Sequence, residues 1–385
     1  MSDIGILAVC EPQFGGTFQY TLSMIEALRL IPEHRYTLFT TKANHWYDDL
    51  GLPIKRLPGA ANVLVQAIAR PLGSKSSLGL FSEVEKVIAP IYSSYLLASS
   101  RAFAFTLHDL QEEYFPQYLS YKQRVWRFII NRLLARAATR IICESTNVKG
   151  DIQRYLRVEP DRIAVIPAPP VSLFRDVASD QIHLQEVRQR LSLPPQYLFY
   201  PAQFNPHKNH ARLIDAFALV ARQYPDCHLV LTGAIRLEFS SVMSRVKEKG
   251  LESRVRHLGQ IDVLDLVAAY KLATLVVVPT LFESISIPIY EAFSCGSPVC
   301  CSGILALPEQ AGGAAVLFDP LSVEDMAQKI AATLADPALR AALVRRGFER
   351  IQAMSVETYA ASLAQLLDEL PGKQSQGKRT FRAQL

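Results

Sequence analysis

The sequence predicts an α/β fold of two Rossmann-like domains in tandem, facing each other across a cleft. Three observations predict it. Short β-branched or apolar runs alternate with segments of helical period along the whole chain, the pattern of parallel sheets with crossover helices. At 385 residues the chain exceeds the size at which one hydrophobic core keeps growing. Finally, Pro167-Ala168-Pro169-Pro170 interrupts the alternation, and no further strand pattern follows until about Tyr197.

Taken in order, the first series places strands near Ile4–Cys10, Tyr36–Thr40, Lys86–Ala89, Ala102–Leu107, Arg140–Cys143 and Ile163–Ile166. The loop at Gly15-Gly16 opens a helix that runs to about Leu30. The second series has strands near Tyr197–Pro201, His228–Thr232, Val255–Leu258, Leu275–Val278, Val299–Cys301 and Ala315–Phe318, with helices beginning near Ala211, Ser240, Asp262, Ile287 and Ser322. The expected domains are therefore 1–170 and 197–355, joined by a linker over 171–196. A helix over 356–370 is expected to return to the first domain, and 371–385 forms a basic tail expected to be disordered. Ligands of such sheets sit beyond the carboxyl ends of the strands, so residues just after strands carry most information about function.

Composition narrows the class. Apolar residues make up 49% and charged residues 20% of the chain, which supplies ample surface to bury. The net charge of +5 is modest and no nucleic-acid motif accompanies it, so no nucleic-acid partner is expected. The longest apolar stretches, such as Leu275 to Val278, are far short of the ~20 residues of a membrane helix. Met1 runs directly into an apolar strand without a basic leader, so a cytoplasmic protein is expected. Six cysteines without a CxxC pair read as buried, reduced thiols.

The stretch from Phe282 to Val299 carries the strongest chemical signal. It sets Glu283 on the loop after a strand and Glu291, eight residues on, inside the following helix. Pro288 suits the first turn of that helix, whose N-terminal N–H groups and dipole favour an anion such as a diphosphate. Two carboxylates flanking a phosphate site suit a sugar nucleotide, each accepting hydrogen bonds from vicinal hydroxyls. Spacing alone favours the plainer alternative, a loop carboxylate at Glu283 and a helix surface charge at Glu291.

The same stretch resembles the E-x7-E block of family-four retaining glycosyltransferases of the GT-B fold, including its Ala-x-x-Cys-Gly-x-Pro-Val continuation at Ala292–Val299. Tyr200 to His210 resembles the first loop of that family's nucleotide domain, and Leu258-Gly259-Gln260, Asp319-Pro320 and Arg346-Gly347 are further matches. Gly15-Gly16, His108-Asp109 and Ser145 resemble its acceptor-side domain, so the likeness covers nearly the whole chain. The resemblance implies that Glu283 contacts donor-sugar hydroxyls, Glu291 the ribose, and Lys208 the diphosphate. It implies that His108 lines the sugar pocket and, with Lys208 and Glu283, is catalytic. Gly15, Gly16, Gln203, Ser284, Ser286 and Ile287 would join Lys208 and Glu291 in holding the donor. His207 and His210 flank Lys208 at a spacing that could ligate metal, but without an evident third ligand a structural role, capping the next helix, is expected. Asp109 is expected to orient the His108 ring.

The chain departs from the family at two places. Many relatives carry an arginine five residues before the loop lysine, where this chain has Gln203. Relatives also read Glu-Gly-Phe-Gly-Leu-Pro where this chain reads Glu283-Ser284-Ile285-Ser286-Ile287-Pro288. The expected function is retaining transfer of a hexose, preferably mannose from GDP-mannose, to a glycan or lipid-linked acceptor, with no cofactor or metal. The alternatives are an inactive sugar-nucleotide-binding scaffold of the same fold and a nicotinamide-dependent oxidoreductase, the latter disfavoured by the lack of a Gly-x-Gly-x-x-Gly turn after any strand. Finally, Tyr118 to Arg140 mixes Lys122, Arg124, Arg127, Arg132, Arg136 and Arg140 with Tyr121, Trp126, Phe128, Ile129, Ile130, Leu133 and Leu134. Such a helix suits either a domain core or peripheral contact with the anionic inner face of a membrane.

Overall fold

The computed structural model describes residues 1–12, 15–41, 45–59, 80–170 and 184–372. The chain divides into two units, Met1–Pro169 with the segment from Val356 onward, and Pro170–Ser355. Part of the expected linker, 171–183, and the tail cations Lys373, Lys378, Arg379 and Arg382 lie outside the described residues.

The first unit comprises β1 (Ser2–Leu7), α1 (Gly16–Arg29), β2 (His34–Thr41), β3 (Ile54–Leu57), β4 (Lys86–Ala89), β5 (Ala102–Thr106), α2 (Gln111–Tyr114), α3 (Tyr121–Ala137), β6 (Arg140–Cys143), α4 (Thr146–Leu156) and β7 (Ile163–Val165). Its parallel sheet has the order β3-β2-β1-β4-β5-β6-β7. Both faces are covered, and the period-two alternation of the strands serves both. Ile4, Ile6 and Ala104 join the core on one side, while Leu7, Phe103 and Phe105 join the core on the other. The sequence did not announce β3, because Ile54-Lys55-Arg56-Leu57 is an edge strand whose two charged residues face water.

The second unit comprises α5 (Leu184–Arg190), β8 (Tyr197–Pro201), α6 (His210–Gln223), β9 (His228–Thr232), α7 (Phe239–Glu248), β10 (Val255–His257), α8 (Val263–Leu272), β11 (Leu275–Val278), α9 (Ile287–Ser294), β12 (Val299–Ser302), α10 (Leu307–Ala311), β13 (Ala315–Phe318), α11 (Val323–Ala335) and α12 (Pro337–Gln352). Its parallel sheet runs β10-β9-β8-β11-β12-β13. Asp262 and Ser322 cap the N-termini of α8 and α11 with their side chains, as Asp336 caps α12. The helix α12 was not anticipated, since its exposed arginines mask its apolar stripe. A Cβ at Gly347 of α12 would sit 2.8 Å from the Phe293 ring of α9, so the glycine of Arg346-Gly347 sets how closely α12 lies on the helix carrying Glu291. The last helix, α13 (Val356–Glu369), packs Val356, Tyr359, Leu363, Leu366 and Leu367 into the core of the first unit.

Both sheets share one doubly wound order, in which the first strand of the unit lies beside the fourth. The connections from β1 and β4, and from β8 and β11, leave in opposite directions, the arrangement that in such sheets places ligands at the carboxyl end of the pair.

Candidate active site

In the second unit the carboxyl end of this pair carries two loops, one after β8 and one after β11. Asn209 ends the first loop in the left-handed region at φ 61° and is buried. Its side-chain amide donates to the carbonyls of Pro279 and Pro320, each at 2.9 Å. The His207 carbonyl accepts from the Leu281 N–H at 2.7 Å and from the Thr280 hydroxyl at 3.0 Å. These bonds satisfy loop backbone that would otherwise be buried unpaired, and they fix Lys208 against Glu283. The Lys208 ammonium and the Glu283 carboxylate form an ion pair, both side chains largely shielded from water. Residues 75 positions apart are thereby joined at the switch point of the sheet.

Glu291 stands on α9 and is only 7% exposed, which rules out a helix surface charge. The Tyr270 hydroxyl of α8 donates to its Oε2 at 2.7 Å. Burial raises the Glu291 carboxyl to about 7, against the lowering effect of the Tyr270 hydrogen bond. Ser286, the residue before α9, is buried, and its peptide is clamped on both sides by Gln310. The Ser286 N–H donates to Gln310 Oε1 and Gln310 Nε2 donates to the Ser286 carbonyl, both at 2.8 Å. That N–H is therefore spent within the protein, and the Ser286 hydroxyl makes no capping bond to α9. Ser284 and Ile287 are partly exposed beside it.

Gln203 lies on the same loop as Lys208, and its side-chain oxygen accepts from Arg236 Nε at 3.3 Å. His210 does not cap α6, for which Asn209 occupies the capping position without a side-chain bond. Instead its ring stacks on Phe204 at 4.2 Å between centroids. Burial holds it neutral, lowered to about 3, with the Lys208 charge adding to the effect.

At the sheet edge of the first unit, His108 follows β5. Its Nδ1 lies 2.8 Å from Glu144 Oε2 and its Nε2 lies 3.0 Å from the Pro90 carbonyl. Both ring nitrogens face acceptors, which only the doubly protonated ring satisfies. Burial opposes the charge, but the hydrogen bond and charge of Glu144, with Asp109 and the Pro90 carbonyl, carry the ring above its ordinary value. Glu144 therefore holds the ring, whereas the Asp109 carboxylate is turned to Arg127 at 2.6 Å. Tyr20 of α1 packs edge-on to His108, and its hydroxyl shares a 3.1 Å hydrogen bond with Thr106. Gly15, at φ 56°, precedes Gly16, the first residue of α1.

Sequence reasoning missed Glu144, Tyr270, Gln310 and Arg236. Glu144 and Arg236 follow strands β6 and β9, the location that marks the other site residues. Tyr270 and Gln310 lie within or just inside helices and carry no such signal. Among the described residues no group of three or more His, Cys, Asp or Glu side chains is placed to hold a metal ion.

Residues 184–350 match the family model described as glycosyl transferases group 1, and residues 87–169 that of glycosyltransferase family 4. The chain is 29% identical over 259 residues to the O-antigen chain mannosyltransferase B of Escherichia coli, covering 66% of each protein. It is 28% identical over 218 residues to the serotype-specific mannosyltransferase WbdA of Escherichia coli, covering 55% of this chain and 26% of that one. The chain thus spans no more than 66% of the length of either relative. Among solved structures, HepE of Anabaena in complex with UDP and glucose superposes with a TM-score of 0.77 at 19% identity, over 96% of this chain and 100% of that one.

Proposed function

We propose that this chain, which belongs to the group 1, family 4-like glycosyltransferases, moves a hexose from a nucleoside-diphosphate donor with retention at the anomeric carbon. The observation that carries this reading is the Lys208–Glu283 pair fixed at the switch point of the second unit. In the reaction the bond from the anomeric carbon to the diphosphate oxygen breaks and its electron pair leaves with the diphosphate. An acceptor hydroxyl bonds to the same carbon from the same face, and its proton passes to the departing oxygen. Negative charge grows on the diphosphate as the bond breaks, so a lysine set beforehand at that oxygen lowers the barrier. Glu283 accepts hydrogen bonds from the sugar hydroxyls and Glu291 from the ribose. The chemistry asks for no metal where Lys208 supplies the positive charge, and activity persisting in EDTA is expected.

GDP-mannose is the preferred donor, on the strength of the two mannosyltransferase relatives. Glu283→Ala is expected mainly to lower kcat, and Glu291→Ala mainly to raise the KM for donor. The assay is release of GDP or UDP with acceptor present, with the anomer of the product read by NMR. An inverted product overturns retention. Donor binding without nucleoside-diphosphate release under any acceptor favours the scaffold reading.

A lipid-linked acceptor at the inner face of a membrane fits the surface of the first unit. The helix α3 starts sharply at a capping box between Ser120 and Gln123, and it buries Ile130, Leu134 and Ala135. It nevertheless leaves Tyr121, Val125, Trp126, Phe128, Ile129 and Leu133 exposed, Tyr121 by 78%. Arg127 turns to Asp109 and Glu112, and Arg132 to Glu113, so the cations left facing water are Lys122, Arg124 and Arg136. No helix among the described residues is long and apolar enough to cross a membrane.

A further inference from the structure

Arg236 is an exposed guanidinium of the second unit that no carboxylate among the described residues neutralises. Other arginines of this unit have obvious work in the fold. Arg245 pairs with Asp215 and Arg190 with Asp265, while Arg254 donates to the Tyr224 and Cys227 carbonyls. Arg236 meets only a neutral amide, and among the described residues no carboxylate pairs with it. Its two terminal Nη groups have no described partner.

The turn that carries it is held closely against the Lys208 loop. Gly233 follows β9 at φ 136°, and a Cβ there would meet the Ala202 carbonyl oxygen at 2.4 Å. Only glycine lets the two backbones approach so closely. The Gly233 N–H donates to the Gly259 carbonyl at 2.9 Å and its own carbonyl lies 3.1 Å from His257 Nε2. On either side of Arg236, the Phe204 N–H donates to the Ala234 carbonyl at 3.2 Å and the Glu238 N–H donates to the Phe204 carbonyl at 3.0 Å. The backbone on both sides of the arginine is thus tied to the residue after Gln203, and Gln203 Oε1 takes the Nε proton.

We propose that Arg236 binds the diphosphate of the donor, supplying from the loop after β9 the guanidinium that position 203 lacks. This rests on the reading of the second unit as the donor site. A guanidinium whose Nε is already held presents its outer edge as a fixed fork, suited to two phosphate oxygens at once. Lys208 and Arg236 would then meet the diphosphate from neighbouring loops, with Gln203 acting as a positioning residue for the arginine rather than as a phosphate ligand.

Calorimetric titration of the full chain with GDP and with UDP tests this. Arg236 is exposed, so its replacement leaves the fold intact, which circular dichroism checks. Arg236→Gln is expected to weaken whichever nucleoside diphosphate binds by about tenfold or more, and the loss should shrink as sodium chloride is raised. Adding Gln203→Arg to that variant should recover most of the affinity, since it places a guanidinium on the neighbouring loop that carries Lys208. If Arg236→Gln binds within twofold of the unaltered protein while Lys208→Ala loses binding, the inference fails and the donor site stands. If the unaltered protein binds neither GDP nor UDP, the donor-site reading fails and this inference with it.

Discussion

The two sheet edges share a strand order but spend it differently. In the first unit the polar groups come from β4, β5 and β6, all on one side of the switch point, and they satisfy one another. His108 is held at both nitrogens between Glu144 and the Pro90 carbonyl, with Tyr20 packed on its ring. In the second unit the charged groups come from β8, β9 and β11, on both sides of the switch point. There the loops carrying Lys208 and Glu283 are held by backbone staples, and the two charges pair directly with each other. A bond within the protein that a ligand must break costs binding energy, and the Lys208–Glu283 pair carries that cost too, but its two charges are already desolvated and held on fixed loops. The first edge is thus closed by a histidine bonded on both sides, and the second by a pair of opposite charges that the proposed donor would separate.

Removal of His108 is expected to disturb the first edge most. His108→Ala leaves the Glu144 carboxylate buried without its partner, and breaking such a pair costs about 3–5 kcal/mol. Urea unfolding of the variant should show that loss at neutral pH. The sign of the pH dependence follows from the raised imidazole value. The stabilisation from the ring is fully present below its unfolded value near 6.5 and disappears as the pH rises through the higher folded value. A variant as stable as the parent at pH 6 would show that the first edge does not depend on this histidine.

The next largest effect belongs to the second edge. Lys208→Ala is expected to lower kcat by about a hundred- to a thousandfold, the range for removing one preorganised donor from a developing negative charge. Thermal stability should change less than in His108→Ala, because Glu283 keeps 14% side-chain exposure and reaches water when the lysine is gone. A small effect on rate with a large effect on stability would reverse the roles of the two edges.

Much of this contrast was legible in the sequence. Strands Lys86–Ala89, Arg140–Cys143, Tyr197–Pro201, His228–Thr232, Leu275–Val278 and Ala315–Phe318 were read with the boundaries the structure has, because buried parallel strands are short apolar runs. Edge strand β3 and helix α12 were not, since charge on a solvent face blurs the apolar period. Lys208 and Glu283 were found through the family resemblance, with their position after strands in support, but their pairing was not, because 75 residues of intervening fold decide it. The bond from Glu144 to His108 was invisible for the same reason, and the nearer carboxylate, Asp109, was a natural but mistaken choice for the residue that fixes the ring. The surface of α3 was legible only in part. Its spacing showed apolar residues and cations together, but the packing alone shows that Arg127 and Arg132 turn inward.

The smallest effect tests whether the second edge also contains a rigid part. Glu291 is buried and bonded to Tyr270, so it resembles the residues of the first unit more than its partner Glu283. Burial raises its carboxyl from the ordinary 4.5 to about 7. Between those values the folded protein binds a proton that the unfolded chain has released, so stability falls as the pH rises from about 4.5 and levels off above about 7. Glu291→Gln keeps an oxygen for the Tyr270 hydroxyl and removes the charge. It should therefore gain about 2–3 kcal/mol over the parent at pH 8 and little at pH 4, read from urea midpoints at the two values. Nucleoside-diphosphate affinity supplies the second half of the test. If the ionised carboxylate is the acceptor for ribose hydroxyls, the unaltered protein should bind GDP or UDP more tightly as the pH rises through 7, and Glu291→Gln should lose that dependence while becoming more stable. A variant that is both more stable at pH 8 and unchanged in affinity would make Glu291 part of the core alone, and the ribose would need another partner in the second unit.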